Sequence, residues 1–188
     1  YIDEANRKFI LTEKGLFISE NTEKFKKAIS DSLNENQSYL QTMISISDSL
    51  SLVGSRSGLM LYNENRNHIE PLVDSVLKAS TIHYLYKDKS GLIYVNKLFD
   101  GIEVFKFDQD HLIHLHTIEV KLNLKSCYET NDTLYFATTK GIIVVNKRTF
   151  DYYTISEPDG LPNQNIYCLL PDKNNDATFW CSSNRGIF

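Results

Sequence analysis

The stretch Tyr135-Phe136-Ala137-Thr138-Thr139-Lys140-Gly141-Ile142-Ile143-Val144-Val145 decides the fold. Its two apolar halves are rich in β-branched and aromatic residues, the side chains that strands prefer. A hydroxyl, two further residues and a glycine separate them. A tight hairpin needs positive φ at its turn, and glycine adopts that conformation at no steric cost. Successive positions are apolar in both halves, where a half-solvated sheet would alternate. The hairpin is therefore expected to be buried on both faces.

The same unit recurs along the chain. A glycine followed by an apolar strand stands at Gly15, Gly58, Gly101, Gly141 and Gly186, at intervals of 43, 43, 40 and 45 residues. The residues ahead of each glycine also repeat: Phe9-Ile10-Leu11-Thr12, Leu52-Val53-Gly54-Ser55, Tyr94-Val95-Asn96-Lys97, Tyr135-Phe136-Ala137-Thr138 and Trp180-Cys181-Ser182-Ser183. Each opens on a large apolar residue and most close on a small residue and a hydroxyl. The third copy departs, with Lys97 in the hydroxyl position and Leu98-Phe99-Asp100 before its glycine. Turn clusters such as Asp88-Lys89-Ser90-Gly91 and Glu129-Thr130-Asn131-Asp132 cut each repeat into about four short strands. The fourth repeat reads as strands 124–129, 133–138, 141–146 and 150–156.

Four strands in a repeat of ~40–45 residues make a β-propeller blade. The fold class is all-β, a propeller segment of four-stranded blades. Four blades are expected at approximately 1–34, 35–78, 79–121 and 122–156, with a partial fifth at 157–188. Only Glu20–Asn34 invites a helix, through Phe25, Ala28, Ile29 and Leu33 at loose helical spacing. It is read as an edge strand and a long connection, a short inserted helix being the alternative.

The 188 residues are 41% hydrophobic and 23% charged, a globular composition. The net charge of −4, with no Lys/Arg cluster, argues against a nucleic-acid partner and against contact with an anionic membrane. No apolar run approaches the ~18 residues that cross a bilayer. The chain opens inside patterned sequence without Met, and is expected to be cut from a longer protein. Cys127, Cys168 and Cys181 are odd in number and none sits in a CxxC, which argues against a disulfide framework. If 165–170 pairs with 178–183, Cys168 and Cys181 fall opposite each other. They are then two buried thiols or, alternatively, a cross-strand disulfide.

No catalytic, ligand-binding or metal residue can be assigned, and no cofactor is implied. In His111-Leu112-Ile113-His114-Leu115-His116, His114 and His116 would share one face of a strand, but no third ligand can be named. Asp172-x-Asn174-x-Asp176 opens like a Ca²⁺ loop, yet Ala177 and Ser183 replace the glycine and glutamate that such a loop needs. No Ser/His/Asp set can be assembled, and Asp108 and Asp110 sit in a turn with nothing to support acid–base work. Trp180 reads as a residue packed between blades. Tyr152, Tyr153 and Tyr167 flank an inter-blade segment and are surface candidates only.

The last repeat runs Tyr152-Tyr153-Thr154, Asp159-Gly160-Leu161-Pro162-Asn163, Ile166-Tyr167-Cys168-Leu169, Asp172, then Trp180-Cys181-Ser182-Ser183-Asn184-Arg185-Gly186-Ile187. This resembles the two-component regulator propeller repeat, closely over 150–188 and through the hairpin half elsewhere. Phe9, Leu52, Tyr94 and Tyr135 stand where that repeat carries tryptophan, and Asn175 where its turn carries glycine. The resemblance implies the periplasmic sensor region of a hybrid two-component histidine kinase, an inner-membrane protein. It also implies a non-catalytic segment that recognises a signal, an oligosaccharide among the candidates, for a kinase outside these residues. A protein-interaction scaffold and a polysaccharide-active propeller enzyme are the alternatives. Unpaired blade edges lead to the expectation of closure of the blades on each other or of self-association, and a parent receptor could dimerise.

Overall fold

The computed structural model describes residues 1–3, 6–19, 24–28, 39–72, 76–77, 80–109, 111–175 and 178–188. They form five successive antiparallel sheets, the blades of a β-propeller. Blade 1 holds β1 (Lys8–Thr12), β2 (Gly15–Ser19) and β3 (Lys26–Lys27). Blade 2 holds β4 (Leu40–Ser45), β5 (Leu50–Ser55), β6 (Gly58–Asn63) and β7 (His68–Pro71). Blade 3 holds β8 (Ile82–Lys87), β9 (Leu92–Lys97), β10 (Ile102–Asp108) and β11 (His111–Ile118). Blade 4 holds β12 (Ser126–Glu129), β13 (Thr133–Thr138), β14 (Gly141–Asn146) and β15 (Tyr152–Ile155). Blade 5 holds β16 (Ile166–Pro171), β17 (Phe179–Ser183) and β18 (Gly186–Ile187). Within each sheet the strands lie in chain order. In the 20–34 region the described residues include β3 and a buried Ala28, while 20–23 and 29–34 lie outside them.

The hydroxyl ahead of each marker glycine has a mechanical role. Thr12 Oγ1, Ser55 Oγ and Thr138 Oγ1 donate to the carbonyls of Gly15, Gly58 and Gly141 at 2.8–3.0 Å, pinning the hairpin loop. Blade 3 lacks the hydroxyl, and Asn96 replaces it. The Asn96 side-chain amide donates to the carbonyls of Gly101, Leu122 and Lys97, and its Oδ1 accepts the Leu124 amide. Lys97 instead reaches Asp100 and Glu103 at 3.0 and 2.9 Å.

Continuously apolar strands follow from packing on two neighbours. Phe9 and Leu16 of blade 1 meet Leu40, Met43 and Val53 of blade 2. Leu52 and Leu59 of blade 2 meet Ile82, Leu85 and Ile93 of blade 3. Tyr94 and Ile102 of blade 3 meet Leu124, Leu134 and Phe136. Ile142 and Val144 of blade 4 meet Ile166, Leu169 and Cys181. Val53 thus faces back while its neighbour Leu52 faces forward, and both are fully buried. Each such side chain contributes roughly 1.5–3 kcal/mol. In blade 2 a small residue in the hairpin lets the next blade approach: a Cβ on Gly54 would lie 2.8 Å from Ile82.

Trp180 departs from the packing role expected of it, with 51% of its surface exposed. It pairs with Leu170, also exposed, on the face of blade 5 turned away from blade 4. Its neighbours Phe179 and Cys181 take the inward places against blade 4. Leu52 and Tyr94, at the same place in their repeats, are covered by the blade that follows them.

Candidate functional site

The first strands of adjacent blades contact one another directly, β4 with β8 and β12 with β16, so these strands are the innermost and line the propeller axis. β4, β8 and β16 each carry a β-bulge at the same place. In β4 the register passes from Leu40↔Ser55 to Thr42↔Gly54, leaving Gln41 as the extra residue. In β8 it passes from Ile82↔Lys97 to Tyr84↔Asn96, leaving His83. In β16 it passes from Ile166↔Ser183 to Cys168↔Ser182, leaving Tyr167. In blade 4 the ladder opens at Ser126↔Ala137, and the preceding amide, that of Lys125, also bonds the Ala137 carbonyl. Lys125 is therefore the corresponding residue.

A bulge frees one residue from the ladder and re-aims its side chain. The flanking residues stay committed: Leu40, Ile82, Leu124 and Ile166 are buried in the inter-blade cores. Gln41, His83, Lys125 and Tyr167 join none of those cores. They are each 42 residues apart, more regular than the glycines. An amide, an imidazole, an ammonium and a phenol are thus presented at the hub by four consecutive blades.

The best-defined contacts in this set surround Lys125. Its Nζ donates to Asn165 Oδ1 at 2.6 Å and lies 4.3 Å from the centroid of the Tyr167 ring. Asn165 Nδ2 donates to the Tyr167 hydroxyl at 3.1 Å, which fixes the amide so that its oxygen faces the lysine. Burial lowers the Lys125 pKa below its ordinary value. Burial, and then the Lys125 charge, lowers that of His83. Next to Gln41 a cleft of about 520 Å³ runs along β4 and β8, lined by Thr42, Met43, Tyr84, Tyr86 and Lys87, with Tyr1 and Leu11 from blade 1.

The residues marked in the sequence fall elsewhere, Tyr167 excepted. His114 and His116 do not share a face. A register shift between Val104 and Phe105 sets them on opposite sides of β11. His114 bonds Glu103 at 2.8 Å and packs edge-on to Phe105, whereas His116 stacks on Phe150 of blade 4. Among the described residues no group of three His, Cys, Asp or Glu side chains could hold a metal ion. Asp172 Oδ1 accepts the Asn174 amide in a turn, and Asp176 lies outside the described residues, as does Asp110. Tyr152 reaches back to the Glu119 carbonyl. Tyr153 lines a separate cleft of about 350 Å³ with Tyr135, Asn146 and Asp151.

The cysteine register is also corrected. The expected hairpin forms, but the bulge at Tyr167 moves the pairing by one residue. Leu169 stands opposite Cys181, and Cys168 opposite Ser182. All three cysteines are free thiols.

Sequence reasoning missed Gln41, His83 and Lys125 because it followed glycines, which mark the second turn of each blade. The constant 42-residue step, shared by Leu40, Ile82, Leu124 and Ile166, is the signal that would have found them.

No family model matches the chain, and no curated protein matches its sequence. Solved structures do. The extracellular domain of BT3049 from B. thetaiotaomicron, assigned to the hybrid two component systems, has a TM-score of 0.74 at 15% identity over 100% of this chain. The extracellular domain of BT4673 from the same organism, assigned to the one component systems, has a TM-score of 0.71 at 17% identity over 99% of this chain. Virginiamycin B lyase from Staphylococcus aureus has a TM-score of 0.68 at 9% identity over 100% of this chain and 67% of its own. The chain spans 26% of the length of each of the first two. At these identities the likeness is one of fold, and the fold it shows is the β-propeller.

Proposed function

We propose that the chain is a non-catalytic, ligand-sensing propeller segment from the extracytoplasmic region of a two-component sensor, that it recognises an oligosaccharide, and that the responding kinase lies outside it. The observation that carries this reading is the hub set: four polar side chains at one place in four successive blades, three of them released from the ladder by bulges and Lys125 standing just ahead of its ladder. Hydroxyl-rich ligands need convergent hydrogen-bonding groups beside an aromatic face, and Lys125, Asn165 and Tyr167 supply both. The likeness to two extracellular domains of signalling systems supports the sensing role and the location. Nucleophilic catalysis would join a base to a nucleophile; the hydrogen bonds at Lys125 join ammonium, amide and phenol instead.

A glycan-binding screen on the complete extracellular region, with product analysis of every bound glycan, tests this. Binding without turnover is expected. Cleavage of a bound glycan would move the chain to the enzymes, and an empty screen would end the saccharide reading.

One observation favours self-association as a second property. β11, the outermost strand of blade 3, has eight residues, while β7 and β15 have four each. Its Ile113 and Leu115 are exposed, and it carries neither Lys nor Pro, the residues that usually blunt such edges. Sedimentation should show a weak dimer that the double substitution Ile113→Lys, Leu115→Lys abolishes. A monomer at all concentrations would exclude it.

A further inference from the structure

We infer that the hub set is a site for an anionic group, and that the ligand it takes is an acidic saccharide carrying a carboxylate or sulfate on the sugar ring. This rests on the sensing reading only in taking the anion to be part of a saccharide.

Two other lysines of this protein, Lys97 and Lys147, have nearly covered side chains, each 11% exposed. Lys97 meets two carboxylates, Asp100 and Glu103, at 3.0 and 2.9 Å. Lys147 also meets two, Glu129 at 2.5 Å and Asp88 at 3.5 Å. Withdrawing an ammonium from water is costly, and an opposite charge offsets the cost. Lys125 has no such relief. Its partners are neutral, the Asn165 oxygen and the Tyr167 ring. Among the described residues no carboxylate ion-pairs with it, although the chain carries 24 acids against 20 bases.

The surroundings add to this. Asn165 is held by the Tyr167 hydroxyl, so it occupies one ammonium donor and leaves the others for a ligand. His83 holds the corresponding position in the preceding blade. Two nitrogen-bearing side chains are thus presented at the same place by adjacent blades, and no ion pair to an acid is found for either among the described residues. An anion placed there would gain a charge-assisted hydrogen bond in a partly desolvated setting, roughly twice as strong as a neutral one. The Tyr167 ring, 46% exposed, offers an aromatic surface beside the cation. A free inorganic anion would use the lysine alone; a sugar acid would use both.

Two probes separate the possibilities. Glucuronate and glucose differ at the sugar ring chiefly in one carboxylate. Glucuronate is expected to shift the NMR signals of His83, Lys125 and Tyr167 with an affinity at least about tenfold above that of glucose. Lys125→Gln should remove that preference and Lys125→Arg should keep most of it, with thermal unfolding showing that both variants fold. Equal response to the two sugars, or a preference that survives Lys125→Gln, overturns the inference. Sulfate that binds as well as glucuronate, with Tyr167→Ala without effect on either, reduces the site to a bare anion site and overturns the saccharide part. If glucuronate behaves as expected while the glycan screen is empty, the anion site stands and the oligosaccharide-sensing reading fails.

Discussion

The Ser126 hydroxyl, in the innermost strand of blade 4, accepts the backbone amide of Leu169 in blade 5 at 3.1 Å. Thr42 Oγ1 does the same for Leu85 at 3.2 Å, two blade boundaries earlier and across the same interval of 43 residues. The residue directly after Gln41 and the one directly after Lys125 therefore tie their strands to the next blade. Ser126→Ala or Thr42→Val would leave an inter-blade amide unpaired, at a cost of about 1–3 kcal/mol. Urea unfolding of each variant measures this; a change below about 0.5 kcal/mol would show that water replaces the bond.

Gly141 and Gly186 share a positive φ, +113° and +114°, but differ in space. A Cβ on Gly141 would lie 2.1 Å from the Ile155 carbonyl oxygen, while one on Gly186 meets nothing within 4 Å. Gly186→Ala should therefore cost only backbone strain, about 1–3 kcal/mol. Gly141→Ala adds the displacement of β15 and should be clearly worse. Equal melting temperatures for the two variants would contradict the packing of β14 on β15.

Tyr94 and Trp180 occupy one place in the repeat with opposite burial, fully enclosed against 51% exposed. Tyr94→Ala should destabilise by roughly 3–5 kcal/mol. Trp180→Ala should cost far less in this chain. Chemical denaturation of the two variants compares them, and a loss for Trp180→Ala as large as for Tyr94→Ala would show that Trp180 is covered.

Glu103 gives the acid limb of stability a specific source. Burial alone would raise its pKa, but hydrogen bonds from Thr117, Lys97 and His114 overcome this and hold it below the ordinary value. A depressed folded-state pKa contributes stability above the unfolded value, near ~4.3, and that contribution is lost as pH falls through the folded one. Glu103→Gln should therefore be less stable than the native chain at neutral pH. The gap should close below about pH 4. A gap that stays constant from pH 7 to pH 3 would mean that Glu103 acts through shape rather than charge.

The blades were legible because hairpin glycines and doubly apolar strands are local signals. Tyr135–Val145 announces its strands, its turn and its burial within eleven residues. The hub was not legible, because a bulge is a property of two strands. Nothing in Ile82-His83-Tyr84 alone says that His83 leaves the ladder; the pairing with Asn96 and Lys97 decides it. The same cause misplaced Cys168 against Cys181 and put His114 and His116 on one face. Trp180 was misjudged for a different reason: its place in the repeat is a burial site only where the next blade covers it.

The bulges also separate two kinds of evolutionary pressure. Substitutions at Leu40, Ile82, Leu124 or Ile166 change the packing between blades. Substitutions at positions 41, 83, 125 and 167, one step along, leave those inter-blade cores untouched and change chiefly what the axis presents. Each blade thus holds one adjustable position inside a fixed frame. A lineage of such propellers could exchange one signal for another through a few replacements at these positions, without renegotiating its stability each time.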